Sequence, residues 1–138
     1  MQSKTFQILS DYKNVSSACF IIKTFCEDLH MAENQIKEIE LSLAEALNNI
    51  IKHAYQGVQN KIINIEIEYS NNNITINLID NGIARKNLNK PKLEFDPENI
   101  DSLPEGGMGL FIIEQLMDEN IYKRENDKNI FTLIKKVD

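Results

Sequence analysis

Long hydrophobic runs are missing from this chain of 138 residues. No stretch approaches the roughly 20 consecutive apolar residues that a membrane-spanning helix requires. The N-terminal residues, from Met1 to Thr5, also lack the apolar run of a secretory signal peptide. We therefore expect a cytoplasmic protein that has no membrane partner.

Cysteines and clustered basic residues are scarce as well. The two cysteines, Cys19 and Cys26, lie in an apolar helical pattern, which predicts one shared buried stripe and neither a metal pair nor a disulfide framework. The 15 lysines and arginines are mostly scattered and are outnumbered by 21 acidic residues, so the net charge is -6. Because binding to a phosphate backbone depends on clustered basic side chains, the sequence indicates a protein partner or a small ligand and no nucleic acid.

Neither an internal repeat nor a linker divides the chain. Hydrophobic residues make up 42% of it and charged residues 26%, close to the averages of folded globular proteins. Its length falls within the range of about 100–150 residues that is commonest for one domain. We expect a single domain that spans residues 1–138.

Apolar residues recur at two distinct periods, which predict helices and strands. The expected order is strand, helix, helix, strand, strand, irregular segment, helix, strand, strand. The predicted elements are a strand near Phe6, helices over 15–29 and from about Ala32 to Ala54, a hairpin over 63–69 and 74–78 with its turn at 71–73, a helix over 110–117, and strands over 121–124 and 130–134. This order predicts an α+β fold, a two-layer α/β sandwich in which a mixed, mainly antiparallel sheet carries helices on one face.

The irregular segment covers about residues 83–105 and contains Pro91, Pro97 and Pro104. So long a segment without periodicity inside a compact domain is usually functional, and we interpret it as a lid over a ligand site. A disordered insertion is the alternative.

Polar residues share one face of the predicted second helix. On a wheel of about 100° per residue, the face opposite the apolar stripe, called the polar face below, carries Glu38, Ser42, Glu45, Asn49 and His53. It is either an ordinary solvated surface or a place where a carboxylate, an amide and an imidazole act together. The helix alone leaves both interpretations open.

Two glycine-containing segments add to this pattern. Asp80 ends an apolar run and precedes Asn81 and Gly82, so its carboxylate is expected at a strand end beside a sharp turn. The segment 106–109, Gly-Gly-Met-Gly, directly precedes a helical run, and the backbone N–H groups of a helix N-terminus bind anions such as phosphate. Each segment alone has a simpler interpretation. The segment at Asp80 is also typical of an ordinary turn, and the segment 106–109 is also typical of a flexible hinge.

In combination, the order and spacing of these features resemble the GHKL ATPases, which share the Bergerat, or histidine kinase-like ATPase, fold. Within that superfamily the chain resembles the stand-alone anti-sigma-factor serine/threonine kinases. The resemblance runs from the first strand to the last. It implies the Bergerat fold, with ATP and Mg²⁺ as cofactors.

The resemblance also implies roles for residues of the second helix. The segment 42–55 is similar to the N box of the family, in which Glu45 stands at the position of the catalytic base and Asn49 at that of the magnesium ligand. Lys52 stands where the related sensor histidine kinases carry a phosphate-contacting lysine. We include Lys52 and the neighbouring His53 among the nucleotide-binding candidates.

The two glycine segments match two further boxes of the family. The segment 79–84 resembles the G1 box, in which Asp80 accepts a hydrogen bond from the adenine amino group and Gly82 lets the base approach closely. Ala84 replaces the second glycine of this box. The G2 box, whose backbone wraps the phosphates, corresponds to Gly106, Gly107, Met108, Gly109 and Leu110.

By the same resemblance, the chain is expected to phosphorylate a Ser or Thr on a STAS-domain anti-anti-sigma protein in a bacterial partner-switching system. A sigma factor, held by a homodimer, would be a second partner. Two other functions stay open: an ATP-binding adaptor or degenerate kinase that regulates a partner without phosphotransfer, and the catalytic half of a split histidine kinase. The last is disfavoured because no dimerisation helix pair with an acceptor histidine precedes the domain, and His30 lies inside it.

Overall fold

The computed structural model describes residues 1–85 and 107–137. Within them, five strands and three α-helices follow one another in the predicted order. The strands are β1 (Gln2–Leu9), β2 (Ile62–Ser70), β3 (Asn73–Asp80), β4 (Glu119–Glu125) and β5 (Lys128–Lys136), and the helices are α1 (Val15–Asp28), α2 (Glu33–Asn49) and α3 (Gly107–Leu116). A short 3-10 turn, Tyr12–Asn14, precedes α1, and a π-helical turn, Ile50–Ala54, follows α2 directly.

The five strands form one sheet in the order β1-β2-β3-β5-β4. All four neighbouring pairs are antiparallel, so the mainly antiparallel sheet is confirmed, and the described strands contain no parallel pair. The β2–β3 hairpin turns at Asn71 and Asn72, whose φ angles of 52° and 61° are typical of a two-residue turn. Asn73, expected in the turn, pairs with Ser70 and begins β3.

The helices bury one face of this sheet. Alternate residues of the hairpin point into the core, namely Ile63, Ile65, Ile67, Ile74, Ile76 and Leu78. Helix α2 packs against both α1 and α3, and buried side chains of these helices join the sheet residues in one core. Across residues 1–85 and 107–137, no helix has the length and hydropathy needed to cross a bilayer.

Both cysteines lie on the buried side of α1, as predicted. Burial raises the pKa of the Cys19 thiol to about 11 and that of Cys26 to about 12, and the negative charge of Glu40 adds to both shifts. The thiols therefore stay protonated near neutral pH and behave as small apolar side chains.

The second helix departs from the prediction at its C-terminal end. A regular helix is expected as far as Ala54, but the last turn widens into a π-helix, in which the Tyr55 N–H donates to the Ile50 carbonyl at 3.0 Å. The carbonyls at a helix end lack partners within the helix. That of Ala54 accepts the Ile83 N–H, from the segment after β3, at 3.0 Å. Single π-helical turns of this kind are frequent at functional sites.

Candidate functional site

The end of α2 and the end of β3 are in direct contact through Gly82. A Cβ atom at this position would lie 2.6 Å from the Ala54 carbonyl carbon and 2.8 Å from the Ala54 Cβ. Both separations are shorter than real Cβ contacts, so only glycine fits here. Close packing against the π-helical turn thus requires a glycine at this position of the sequence motif.

Tyr55 ties the same two segments together. Its hydroxyl donates to the Ile62 carbonyl at the start of β2 and accepts the Asn81 backbone N–H at 2.9 Å. Burial raises the pKa of the Tyr55 phenol, with a smaller contribution from the negative charge of Asp80. The phenol is therefore a neutral donor at physiological pH. The sequence motif includes Tyr55, but its role in orienting the Asp80 turn emerges only from the fold.

Asp80 is the buried carboxylate at the end of β3, and it is only 3% exposed. Its Oδ1 accepts the Gly82 N–H and the Asn129 Nδ2–H, each at 2.8 Å. Burial raises the pKa of this carboxyl, and the two hydrogen bonds, together with the nearby charges of Arg85 and Arg124, partly offset the rise. The predicted placement at a strand end beside a sharp glycine turn is confirmed.

Asn129, near the start of β5, was not identified from the sequence, although it lies at the centre of the local hydrogen bonding. It is 1% exposed. Its Nδ2 donates to Asp80 Oδ1 and to the Ile83 carbonyl, each at 2.8 Å, and its Oδ1 accepts from the Tyr122 hydroxyl and, at 3.0 Å, from Arg124 Nη1. One signal was present in the sequence. Asn129 occupies an inward position of its strand, and the next two inward positions, Phe131 and Leu133, are apolar.

The residues directly after β3 are held by β4. The Arg85 N–H donates to the Tyr122 hydroxyl at 3.0 Å, and Arg124 Nη1 donates to the Gly82 carbonyl at 3.1 Å. Burial lowers the pKa of the Arg85 guanidinium, whereas the negative charge of Asp80 opposes that shift. Ala84, which replaces a glycine of the family pattern, is not among the positive-φ residues, so the alanine causes no backbone strain.

The polar face of α2 is not a uniform solvated surface, because Ser42 is fully buried and Asn49 is only 8% exposed. At its N-terminal end, Glu38 pairs with Lys135 of β5 at 2.7 Å, and the same ammonium donates to the Leu116 carbonyl at the end of α3, also at 2.7 Å. This end of the polar face therefore joins α2, α3 and the sheet. The Ser42 hydroxyl has no hydrogen-bond partner among the described residues.

The C-terminal half of the polar face carries the candidate chemistry. Glu45 is half-buried, and Asn49, one helical turn later, is the last residue before the π-helical turn. Lys52 and His53 lie on that turn and are exposed. A hard amide oxygen such as that of Asn49 suits Mg²⁺, which keeps several waters and phosphate oxygens as ligands. Among the described residues, no cluster of three or more His, Cys, Asp or Glu side chains could coordinate a metal ion. Protein side chains alone would therefore not complete the coordination of Mg²⁺ here.

Helix α3 begins earlier than the sequence predicts. Residues 107–109 already form its first turn, so two of the motif glycines lie inside the helix, and Leu110 packs against the core. The N–H groups of this turn point out of the helix, where the helix dipole favours anions. Gly106 and the greater part of the predicted lid, residues 86–105, lie outside the described residues.

The chain is similar to known proteins in sequence and in fold. The profile of the family "Histidine kinase-like ATPase domain" matches residues 8–135. The serine-protein kinases RsbW of Staphylococcus aureus strains RF122 and MRSA252 are 41% identical over an alignment of 96 residues that covers 65% of this chain. The match spans 60% of the length of those relatives.

Two solved structures share the fold. The RsbU and RsbW domains of Rv1364c from Mycobacterium tuberculosis superpose with a TM-score of 0.71 at 14% identity, covering 99% of this chain and 32% of that one. The SiaB-SiaC complex of Pseudomonas aeruginosa gives a TM-score of 0.65 at 13% identity, covering 98% and 89% of the two chains. The predicted fold class is thus confirmed, and the chain belongs to the histidine kinase-like ATPase domain family.

Proposed function

We propose that the chain is an ATP-dependent serine/threonine protein kinase that acts as an anti-sigma factor. The observation that carries this proposal is the contact between the two motif segments: the Gly82 turn, which follows Asp80, packs on the helical turn that follows Asn49. Asp80, which would bind the nucleotide base, and Asn49, which would bind the metal ion on its phosphates, would then line one site. The sequence match to serine-protein kinases supports the same activity.

Asp80 is the proposed acceptor for the adenine amino group. A carboxylate accepts hydrogen bonds only, and here Oδ1 already accepts two from the protein. A bound base would therefore face the other oxygen. Gly82 would serve this site by letting the turn that follows Asp80 pack on Ala54.

Glu45 and Asn49 are proposed to act on the transferred phosphate. Phosphoryl transfer requires mainly positioning and charge stabilisation from the protein. Bound Mg²⁺ would neutralise phosphate charge, with the Asn49 amide oxygen as its protein ligand. Glu45, one turn earlier on α2, would accept the proton of the attacking Ser or Thr hydroxyl.

The first turn of α3 and the basic residues of the π-helical turn are proposed to bind the phosphates. Backbone N–H groups at a helix N-terminus form an anion site, and here they belong to Gly107, Met108 and Gly109, with Gly106 just before them and Leu110 just after. Lys52 and His53 would add positive charge or donors on the α2 side. Ala84 would flank the base without restricting the backbone.

The proposed substrate is a Ser or Thr of a STAS-domain anti-anti-sigma protein, since the relatives of this chain include RsbW kinases. We further propose a homodimer, a sigma factor as second partner, a cytoplasmic location where ATP is available, and one domain, residues 1–138, as the working unit. An ATP-binding adaptor without phosphotransfer is the second candidate. The presence of both Glu45 and Asn49 favours the kinase, because an adaptor needs no base.

The first experiment is a calorimetric titration of the full chain with ATP, with and without Mg²⁺, alongside Asn49→Ala. We expect binding that weakens when either Mg²⁺ or the Asn49 amide is removed. Transfer of labelled phosphate to a purified STAS-domain protein from the same organism then separates a kinase from an adaptor. ATP binding without transfer would favour the adaptor, and an absence of nucleotide binding would exclude both.

A further inference from the structure

We infer that Asn129 is a specificity-determining residue that positions Asp80 and thereby selects a base with an amino group over one with a carbonyl group. This inference rests on the proposed nucleotide site and assigns a role to a residue outside the three sequence motifs. Asn129 acts through Asp80 and is a positioning residue, whose own side chain need not contact the nucleotide.

The partners of Asn129 allow only one orientation of its amide. The guanidinium of Arg124 can only donate, so the atom that faces it at 3.0 Å must be the amide oxygen. The Ile83 carbonyl can only accept, so the atom that faces it at 2.8 Å must be the amide nitrogen. The Tyr122 hydroxyl donates to the same oxygen, and the nitrogen also donates to Asp80 and, at 3.5 Å, to the Gly82 carbonyl, so both ends of the amide are fully engaged.

This fixed amide determines how the Asp80 carboxylate is presented. The Asn129 Nδ2–H and the Gly82 N–H both bind Oδ1, which occupies the acceptor capacity of that oxygen. Within residues 1–85 and 107–137, the hydrogen bonds from Gly82 and Asn129 converge on Oδ1, which leaves Oδ2 as the acceptor toward a bound base. The free acceptor is therefore always the same atom, in one orientation, and an acceptor-only oxygen favours an amino group on the base and repels a carbonyl oxygen.

Other side chains at position 129 could not reproduce this arrangement. An aspartate would lack the donors that face Asp80 and the Ile83 carbonyl and would bring a second negative charge beside a buried carboxylate. A serine would offer a single hydroxyl proton and could serve only one of the two acceptors. An alanine would leave Asp80 held by the Gly82 N–H alone, so its carboxylate could rotate.

Asn129 both bonds Asp80 and, through the Tyr122 hydroxyl, is connected to the backbone after β3. A change at Tyr122 separates these two effects. The Tyr122 hydroxyl bonds both Asn129 and the Arg85 N–H, so it connects the amide to the backbone after β3. Tyr122→Phe breaks this connection but keeps the Asn129–Asp80 bond. Base selection should depend on Asn129 much more than on the Tyr122 hydroxyl.

The test compares the dissociation constants of ATP and ITP. Hypoxanthine has a carbonyl group where adenine has its amino group, and its neighbouring N1 carries a proton where that of adenine is an acceptor. The wild-type chain, Asn129→Ala, Asn129→Ser, Tyr122→Phe and the control Asn77→Ala are titrated with each nucleotide. Asn77 is the same residue type on the same sheet, and it bonds Glu66 and Thr132 instead of Asp80. Circular dichroism and thermal unfolding establish that each variant is folded.

We expect Asn129→Ala to weaken ATP binding about tenfold, the scale of one hydrogen bond to a charged group, with little change for ITP. The preference for ATP over ITP should therefore fall about tenfold in Asn129→Ala and by a smaller factor in Asn129→Ser. Tyr122→Phe and Asn77→Ala should keep the wild-type preference. Equal losses for both nucleotides in the Asn129 variants, or an unchanged preference in either of them, would overturn the inference while leaving the proposed function intact. If Asn129→Ala does not fold, Asn129→Ser decides. A wild-type chain that binds neither nucleotide would refute both.

Discussion

Gly82 packs on the Ala54 carbonyl so closely that no side chain fits between the two residues. Ala54 ends the π-helical turn after α2, and Gly82 follows β3, so this contact joins the two segments that carry Asn49 and Asp80. The backbone bond from the Ile83 N–H to the same carbonyl, at 3.0 Å, depends on that packing. The geometry of the candidate site is thus set by backbone packing.

The first prediction follows from this contact. Gly82→Ala forces the turn away from α2, and overpacking of this kind costs about 1–3 kcal/mol of unfolding free energy. We expect a fall of roughly 3–10 °C in the unfolding midpoint together with weaker ATP binding. Differential scanning fluorimetry and calorimetric titration measure the two effects.

Gly57→Ala is the matched control. Gly57 has a φ of 79°, and a Cβ there would meet nothing within 4 Å. This change should lower stability by about 1 kcal/mol through backbone strain without affecting nucleotide affinity. If Gly82→Ala leaves ATP binding at the level of Gly57→Ala, the contact between the segments has no functional role.

The second prediction concerns the proposed base. Glu45→Gln keeps the shape of the side chain but cannot accept a proton, so phosphotransfer should fall by about 10²–10⁴-fold. The dissociation constant for ATP should change little. Glu40→Gln, the same change on α2 beside the α1 residue Cys19, serves as the control and should retain transfer. Full transfer by Glu45→Gln would remove Glu45 from the base role.

The third prediction uses the raised pKa of the Asp80 carboxyl. Because the folded-state pKa lies above the ordinary value of 3.8, the folded protein binds more protons than the unfolded chain in the window between the two. The contribution of Asp80 to stability therefore falls as the pH rises through that window, and the loss is complete above the folded pKa. Arg85, Arg124 and the neutral phenol of Tyr55 face the carboxyl, and burial outweighs their effect.

Asp80→Asn removes this pH-dependent cost, and its amide oxygen can still accept the two bonds to Oδ1. We expect the variant to gain stability relative to wild type as the pH is raised from about 4 to 8, while its affinity for ATP is lost. Urea unfolding at a series of pH values gives the difference. A stability difference that is independent of pH would contradict the raised pKa.

The fourth prediction concerns the ion pair of Lys135 with Glu38. The Lys135 ammonium is largely buried and also donates to the Leu116 carbonyl, so Lys135→Met leaves a carboxylate and a carbonyl without their donor. We expect a loss of about 2 kcal/mol of unfolding free energy, measured by denaturant titration. Lys136→Met, at the exposed neighbouring position, should change stability by less than about 0.5 kcal/mol. Equal effects would mean that the buried pair contributes nothing specific.

Local patterns in the sequence were sufficient for the elements and for part of the site. Alternation in 63–69 and 74–78 predicted the hairpin and its buried face, and helical periodicity predicted the cysteine stripe of α1. Asp80 was located because a carboxylate directly after an apolar strand and before a glycine is a local signal. Periodicity did not reveal the π-helical turn, since the contacts that accompany it come from Ile83 and Asn81, far along the chain.

The sequence by itself determined the order of strands and helices, the inward face of each, and the positions of Glu45, Asn49 and Asp80 on them, because these follow from short-range periodicity and turn chemistry. Only the tertiary structure decided which residues meet. Asn129 reaches Asp80 across 49 residues of chain because β5 inserts beside β3 in the sheet. Gly82 reaches Ala54 because the turn after β3 packs on the π-helical turn after α2. Hydrogen-bond partners and close backbone contacts of this kind depend on strand order and packing, which local sequence periodicity does not encode.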